Sequence, residues 1–555
     1  MIAVIVYGII VSLFSSTVHV GVDEELYLTL AKSFHFAGQF EINGEIVDYN
    51  CVLYSMLISV AYFFYNPKTI LFSMRLIGVL TMCSSIFPIW KLSNKVLEDE
   101  KKSLKVCLVS MIFPYMFDCA FIMQEVLSYP IFLWTVYFLY CGLDYKEKRT
   151  TQVMLTWAAL FSAVCFFTKT YLFFIPIVVN LIWFSQLLKK KKTKQLMQQI
   201  LLYDVIYISC VIIWYIGVWM INDCSKGNNH YSTQFSRLFP INGWTIASAV
   251  VGITVYAALL LINTGIFPIP AICFWRKKYI KANRWLADFT LMSTIVLIFE
   301  IVILIVLTEE GVPTVPHKFL FRYFQIFVPL LLILLVKIED NGEFLRYIRT
   351  KMLIIGSILV ATVYFIYMGG NTRQSIMDGY IYLMLENITK YFVPYADAFF
   401  MLVALIVAIV LITVALRKDK GILSIYKKSC IWILVLLWCV NSIQLPLYTN
   451  YIVGGKKIQS DSIKIAEYLN ENDYQMVYYV MDDEKENNNY IRNFYGYIRQ
   501  PLVTIDNEED VSLLLAHRKE KSAVLMRKGY HFEECAMEKP ELETEKLDLY
   551  LLSEE

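Results

Sequence analysis

The chain has 555 residues, 57% of them hydrophobic, 15% aromatic and only 18% charged, with a mean hydropathy of +0.53. Ordinary soluble domains do not reach these values, so a soluble globular enzyme is excluded and a polytopic membrane protein is the reading. The formal net charge of +2 points to no nucleic acid, because in such a chain the placement of Lys and Arg carries the information, not their sum.

In chain order, the first apolar window runs from Met1 to about His19. It lacks a basic leader and a small-residue cleavage site, and reads as a retained span. Windows long enough to cross about 30 Å of hydrocarbon follow near 70–90, 104–117, 124–142, 152–167, 170–187 and 200–220. Later ones fall near 246–272, 286–307, 323–337, 352–368, 396–416 and 429–449. The expectation is about thirteen transmembrane helices. No internal repeat is visible. The 12 cysteines stand singly with no CxxC pair, which suggests neither a disulfide framework nor a zinc site.

Lysine and arginine test that count, because cytoplasmic loops hold them in excess. Loops assigned inside read "KLSNKVLEDEKKSLK" from Lys91, "DYKEKR" from Asp144, "KKKKTKQ" from Lys189, "WRKKYIKANR" from Trp275, "RYIRTK" from Arg346 and "RKDKGILSIYKK" from Arg417. Those assigned outside, "NDCSKGNNHYSTQ", "TEEGVPTVPHKF" and "GGNTRQSIMDGY", carry few cations. The alternation puts the amino terminus in the cytoplasm and the carboxyl terminus outside the plasma membrane.

Two outer segments are substantial. Residues 20–69 mix acids with amphipathic stretches such as "LYSMLISVAYFFY" and read as interfacial helices. From about Asn450 to Glu555 the composition turns soluble. Helix-like "SIKIAEYLNEN", "NNYIRNFYGYI" and "EDVSLLLAHRK" alternate with strand-like "QMVYYVM", "PLVTID", "SAVLMRK" and "LDLYLL", the pattern of a small α/β domain. Roughly 100 residues are enough to bury an independent core. Neither GxGxxG nor GxxxxGK[ST] occurs there. The fold class is therefore an all-α polytopic membrane protein: a transmembrane domain over 1–449 and an extracytoplasmic α/β domain over 450–555.

This topology brings polar groups to one face of the membrane. Asp23 and Glu24 follow the first span, Asp118 and Glu125 bracket the next outer turn, and Thr168 with Lys169 forms another. His317, Lys318, Arg322 and Tyr323 lie where the tenth span begins. Each has an ordinary reading as well: interfacial Lys and Arg snorkel to headgroups, Tyr belongs to aromatic belts, and acids suit a helix start. Glu125 stands apart, since an ionisable group just inside a span is costly. The other histidines, His19, His35, His230, His517 and His531, show no metal-ligand spacing. No cofactor is required, although acids such as Asp23 and Glu125 would suit a divalent cation.

A carboxylate can take the proton from an attacking hydroxyl or amine while Lys and Arg hold a departing phosphate. That is the chemistry of glycosyl transfer from a lipid phosphate. The inverting form needs one base and no covalent intermediate.

On these residues the chain resembles a known group. "DEELYLTLAKSFHFAGQF", then "YNCVLYSMLISVAYFF" and "RLIGVLTMCSSIFPIWKLS", resembles the opening of the GT-C fold glycosyltransferases, and is similar to the protein O-mannosyltransferases and the lipid A aminoarabinose transferases. "FFTKTYLFFIP" and "HKFLFRYFQIFVPLLLIL" resemble the family's threonine-lysine turn and its Arg-Tyr segment. Asn50-Cys51 stands where the family often has prolines ahead of Leu53-Tyr54.

The resemblance implies Asp23 as catalytic base, Glu24 as its support, and Lys169 with Arg322 as donor-phosphate ligands. Tyr54, Arg75, Asp118, Glu125, His317 and Tyr323 complete the expected substrate site. The implied partners are membrane lipid, a polyprenyl-phosphate sugar donor, and a cell-envelope glycan, lipid or protein acceptor. Rival readings are a transporter or flippase for a lipid-linked sugar, which predicts charged or broken helices near the midplane, and an assembly protein with no need of Asp23.

Overall fold

The computed structural model describes residues 21–42, 45–112, 121–144, 147–188, 193–223, 243–264, 268–278, 282–303, 321–337, 342–369, 456–472, 474–480, 494–505, 521–528 and 540–552, with residue 491 and short stretches within 2–10 and 402–413. Helices α1 Gly21–Ala37, α2 Leu53–Ile58, α3 Pro67–Cys83, α4 Ile86–Leu97, α5 Glu100–Ile112, α6 Glu125–Asp144, α7 Lys148–Thr168, α8 Phe174–Leu188 and α9 Thr193–Ile221 form the first part. The second comprises α10 Gly243–Thr264, α11 Pro268–Lys278, α12 Ala282–Ile301, α13 Val328–Lys337 and α14 Gly342–Gly369. Among the described residues, six helices are long and apolar enough to cross a membrane, with α3 and α4 counted as one run over Pro67–Leu97. The protein is a multi-pass membrane protein.

The expected spans at 1–19, 396–416 and 429–449 lie wholly or largely outside the described residues. Elsewhere hydropathy located helices but not their breaks. The window 246–272 is not one span: α10 ends at Thr264 and a new helix starts at Pro268. Pro268 and Pro270 lack the N–H that a continuing helix needs and are tolerated in a first turn. Residues 323–337 likewise begin as a 3-10 turn, Phe321–Phe327, before α13.

Residues 21–63 form a platform beside the bundle. Helix α1 leads into a hairpin, β1 Glu41–Ile42 paired antiparallel with β2 Glu45–Ile46, then α2 and a 3-10 turn over Ser59–Phe63. The hairpin is an addition to the interfacial helices expected here. Its signal was the intervening Asn43-Gly44, the pair favoured in two-residue hairpin connections.

The tail carries α15 Lys456–Glu471 and strands β3 Met476–Val480, β4 Leu502–Ile505, β5 Ser522–Arg527, β6 Leu542–Glu543 and β7 Leu547–Leu552, in the order β4-β3-β5-β7-β6. Strand β3 pairs parallel with β4 and β5, whereas β7 runs antiparallel to both β5 and β6. Central β5 reads as an unbroken apolar run because both of its faces are covered. The tail's core residues Ile463, Tyr479, Phe494 and Leu549 belong to the same buried cluster as Tyr27 and the membrane helices. The tail meets the platform through Asn470 of α15 and through Phe494, Tyr495 and Arg499, which bond to residues 32, 62 and 65.

Candidate active site

Four parts of the chain converge at one end of the bundle. The first turn of α1 supplies Asp23 and Glu24, whose carboxylates oppose the positive end of the helix dipole. The first turn of α6, the most enclosed of the spans, supplies Glu125. Lys169 ends α7 in an extended conformation (φ −155°, ψ 126°), which separates α7 from the 3-10 turn Thr170–Phe173 and turns the lysine toward α6. The 3-10 turn ahead of α13 supplies Arg322 and Tyr323.

These side chains form one ionic network. The Lys169 ammonium pairs with Glu125 Oε1. Arg322 spans two acids: its Nη1 lies 3.2 Å from Asp23 Oδ2 and its Nε 3.9 Å from Glu125 Oε1. The side chain of Glu125 is 1% exposed, those of Lys169 and Arg322 11% and 12%, but that of Asp23 is 39% exposed. Asp23 is thus the carboxylate that an incoming molecule reaches. Glu24 is fully buried, and its Oε1 accepts the backbone N–H of Ile122 at 2.7 Å.

Aromatic rings wall the cations. Tyr323 meets Tyr171 edge-on, with centroids 4.7 Å apart. Lys169 Nζ lies 5.6 Å from the Tyr323 centroid and 5.9 Å from that of Tyr171, and the Arg322 guanidinium is 5.3 Å from Tyr323, distances at which ring faces attract cations. On the other flank Tyr27, one turn after Asp23, packs edge-on against Tyr54 at 5.9 Å. Arg75 is buried on α3 and interacts electrostatically with Glu24, Tyr54 and Tyr497.

Of the expected site residues, Asp23, Glu24, Tyr54, Arg75, Glu125, Lys169, Arg322 and Tyr323 are brought together. Asp118 and His317 lie outside the described residues. Tyr27, Tyr171 and Gln124, which donates to the Cys51 carbonyl at 2.7 Å, were not singled out from sequence. Tyr27 is legible in retrospect, since its spacing of four from Asp23 puts both on one helical face. Among the described residues no three His, Cys, Asp or Glu side chains gather as a metal site.

Neither a protein-family model nor a curated protein matches the sequence. Solved structures do match. ArnT from Cupriavidus metallidurans in the apo state superposes with a TM-score of 0.56 at 11% identity, covering 100% of this chain and 97% of that one. The chain has the GT-C fold. The same ArnT bound to undecaprenyl phosphate gives a TM-score of 0.55 at 11% identity, again over 100% and 97% of the two chains. The apo oligosaccharyltransferase of Archaeoglobus fulgidus matches at 12% identity over 95% of this chain and 69% of that one, with a TM-score of 0.43. At such identity the GT-C fold is what the likeness establishes, and the chemistry rests on the residues of the site itself.

Proposed function

We propose that the protein is an inverting glycosyltransferase that moves a monosaccharide from a polyprenyl-phosphate donor to a cell-envelope glycan, lipid or protein at the outer face of the plasma membrane. The observation that carries this reading is the division of labour in the network: an accessible carboxylate, Asp23, bonded to Arg322, beside a buried Glu125 that holds Lys169. The polyprenyl-phosphate ligand of the GT-C neighbour ArnT is in keeping with it.

In the reaction the acceptor oxygen attacks the anomeric carbon as the bond from that carbon to the phosphate oxygen breaks. The acceptor proton passes to Asp23, and the bonding electrons leave with the polyprenyl phosphate. The donor is a phosphodiester with one negative charge, whereas the departing monoester gains a second. Cations fixed at that oxygen therefore stabilise the transition state more than the ground state. Lys169 and Arg322 are the groups for this. Glu125 orients both without neutralising the open side, and Glu24, tied to the Ile122 N–H, holds the first turn of α1 in place. The network suits an acid-base step, and Asp23 and Glu125 would also suit a divalent cation.

Purified protein with a labelled polyprenyl-phosphate sugar tests this directly. The variant Asp23→Asn is expected to lose about 100-fold or more in turnover while still binding donor. Turnover equal to wild type would exclude Asp23 as the base.

A further inference from the structure

Lys32 is 3% exposed, and among the described residues no carboxylate is paired with it. Its Nζ donates to the Phe494 carbonyl at 3.4 Å and lies 5.9 Å from the Tyr62 ring centroid and 5.7 Å from that of Tyr495. Burial holds this amine well below the usual lysine range. Lysine is almost never buried unpaired, and an apolar side chain would fill the site at less cost. Packing alone does not explain it.

Its position on α1 does. Glu24, Leu28 and Lys32 follow one another at spacings of four, on one face of the helix. A single turn of the tail, Phe494–Tyr497, is linked to that face directly at Lys32 and elsewhere through Tyr62 and Arg75. At one end Arg75, buried on α3, interacts electrostatically with both Glu24 and Tyr497. In the middle the Tyr62 hydroxyl donates to the Tyr495 carbonyl at 2.8 Å, and its oxygen lies 3.4 Å from the Leu28 carbonyl. At the other end Lys32 reaches Phe494. The seat is locked from the tail side by Arg499 Nε donating to the Tyr62 carbonyl at 3.0 Å and Asn470 Nδ2 donating to the Tyr65 carbonyl at 2.8 Å.

We propose that Lys32 and Tyr62 are positioning residues through which the carboxyl-terminal domain sets the pitch of the helix that carries Asp23 and Glu24. Eight residues, about 12 Å of helix, separate Lys32 from Glu24. A small tilt at the Lys32 end therefore displaces Asp23, and displacements near 1 Å cost up to about 100-fold in rate. The tail is on this view part of the catalytic unit rather than an appended module.

The proposal rests on the glycosyltransferase reading, and its test separates the two. In the full-length protein Lys32→Met keeps length and volume and removes the amine, and Tyr62→Phe keeps the ring and removes the hydroxyl. Each is expected to lower kcat about 10-fold with unchanged donor KM, and to speed hydrogen exchange of the α1 amides about 10-fold while the β3 and β5 amides are unaffected. Lys32→Met should unfold at the same or a higher temperature, which a purely structural lysine would not allow. If Asp23→Asn is inactive but both variants keep wild-type kcat or wild-type α1 exchange, the positioning role is overturned alone. If wild type turns over no polyprenyl-phosphate sugar, the glycosyltransferase reading falls, and unchanged α1 exchange in both variants would still overturn the clamp.

Discussion

Lys169 and Glu125 illustrate how one ion pair serves two ends. With side chains 11% and 1% exposed, the pair is desolvated, so removing one member strands the other at a cost on the order of 3 kcal/mol. The cation is also the proposed phosphate ligand. These roles separate in a pair of variants. Lys169→Met is expected to lose thermal stability and about 10-fold in affinity for undecaprenyl phosphate. The double variant Lys169→Met/Glu125→Leu should regain the stability, because an apolar pair replaces a buried ionic one, yet not the affinity. Recovery of both would make the pair purely structural. Sequence flagged Lys169 and Glu125 separately, each through its place at a span end. Their pairing, 44 positions apart, was not legible, since hydropathy reports the environment of a residue and not its partner.

At the scale of elements, local chemistry explains where helices start and end. Helix α3 begins where Asn66 accepts the N–H groups of Lys68 and Thr69 at 3.0 and 3.2 Å, with Pro67 at the first helical position. Asn66→Ala should cost about 1 kcal/mol, read as a lower unfolding midpoint, because two orphan donors lose their acceptor. A midpoint equal to wild type would show that the platform, rather than the cap, sets the start of α3. The boundary at Thr168-Lys169 was legible for a similar reason: a charged residue between two apolar runs cannot continue a span. The break between α10 and α11 was missed although Pro268 and Pro270 mark it, because window hydropathy averages across prolines. The hairpin at Glu41–Ile46 was missed because two-residue strands carry no usable periodicity.

For the whole molecule, the distribution of Lys and Arg predicts that the network and the carboxyl-terminal domain share the outer side of the membrane. Ser460 is exposed on α15, so Ser460→Cys should react in intact cells with a maleimide that cannot cross membranes. Labelling only after lysis would invert the topology and remove the proposed outer-face chemistry. The tail is long enough to bury a core of its own, and its buried residues also join the cluster that contains Tyr27 of the platform. The contacts responsible, Lys32 with Phe494 and Tyr62 with Tyr495, join positions 462 and 433 residues apart.

What the sequence by itself determined are properties that act locally or as averages: apolar windows sized to a bilayer, clusters of Lys and Arg between them, the turn at Thr168-Lys169, and a family-like opening around Asp23 and Glu24. The tertiary structure alone decided which charges meet, that Asp23 stays open while Glu24 and Glu125 are enclosed, and that the tail docks on the helix bearing Asp23. Those outcomes depend on packing between distant segments. A buried polar group is settled by whichever partner the fold delivers, and no local pattern specifies that partner.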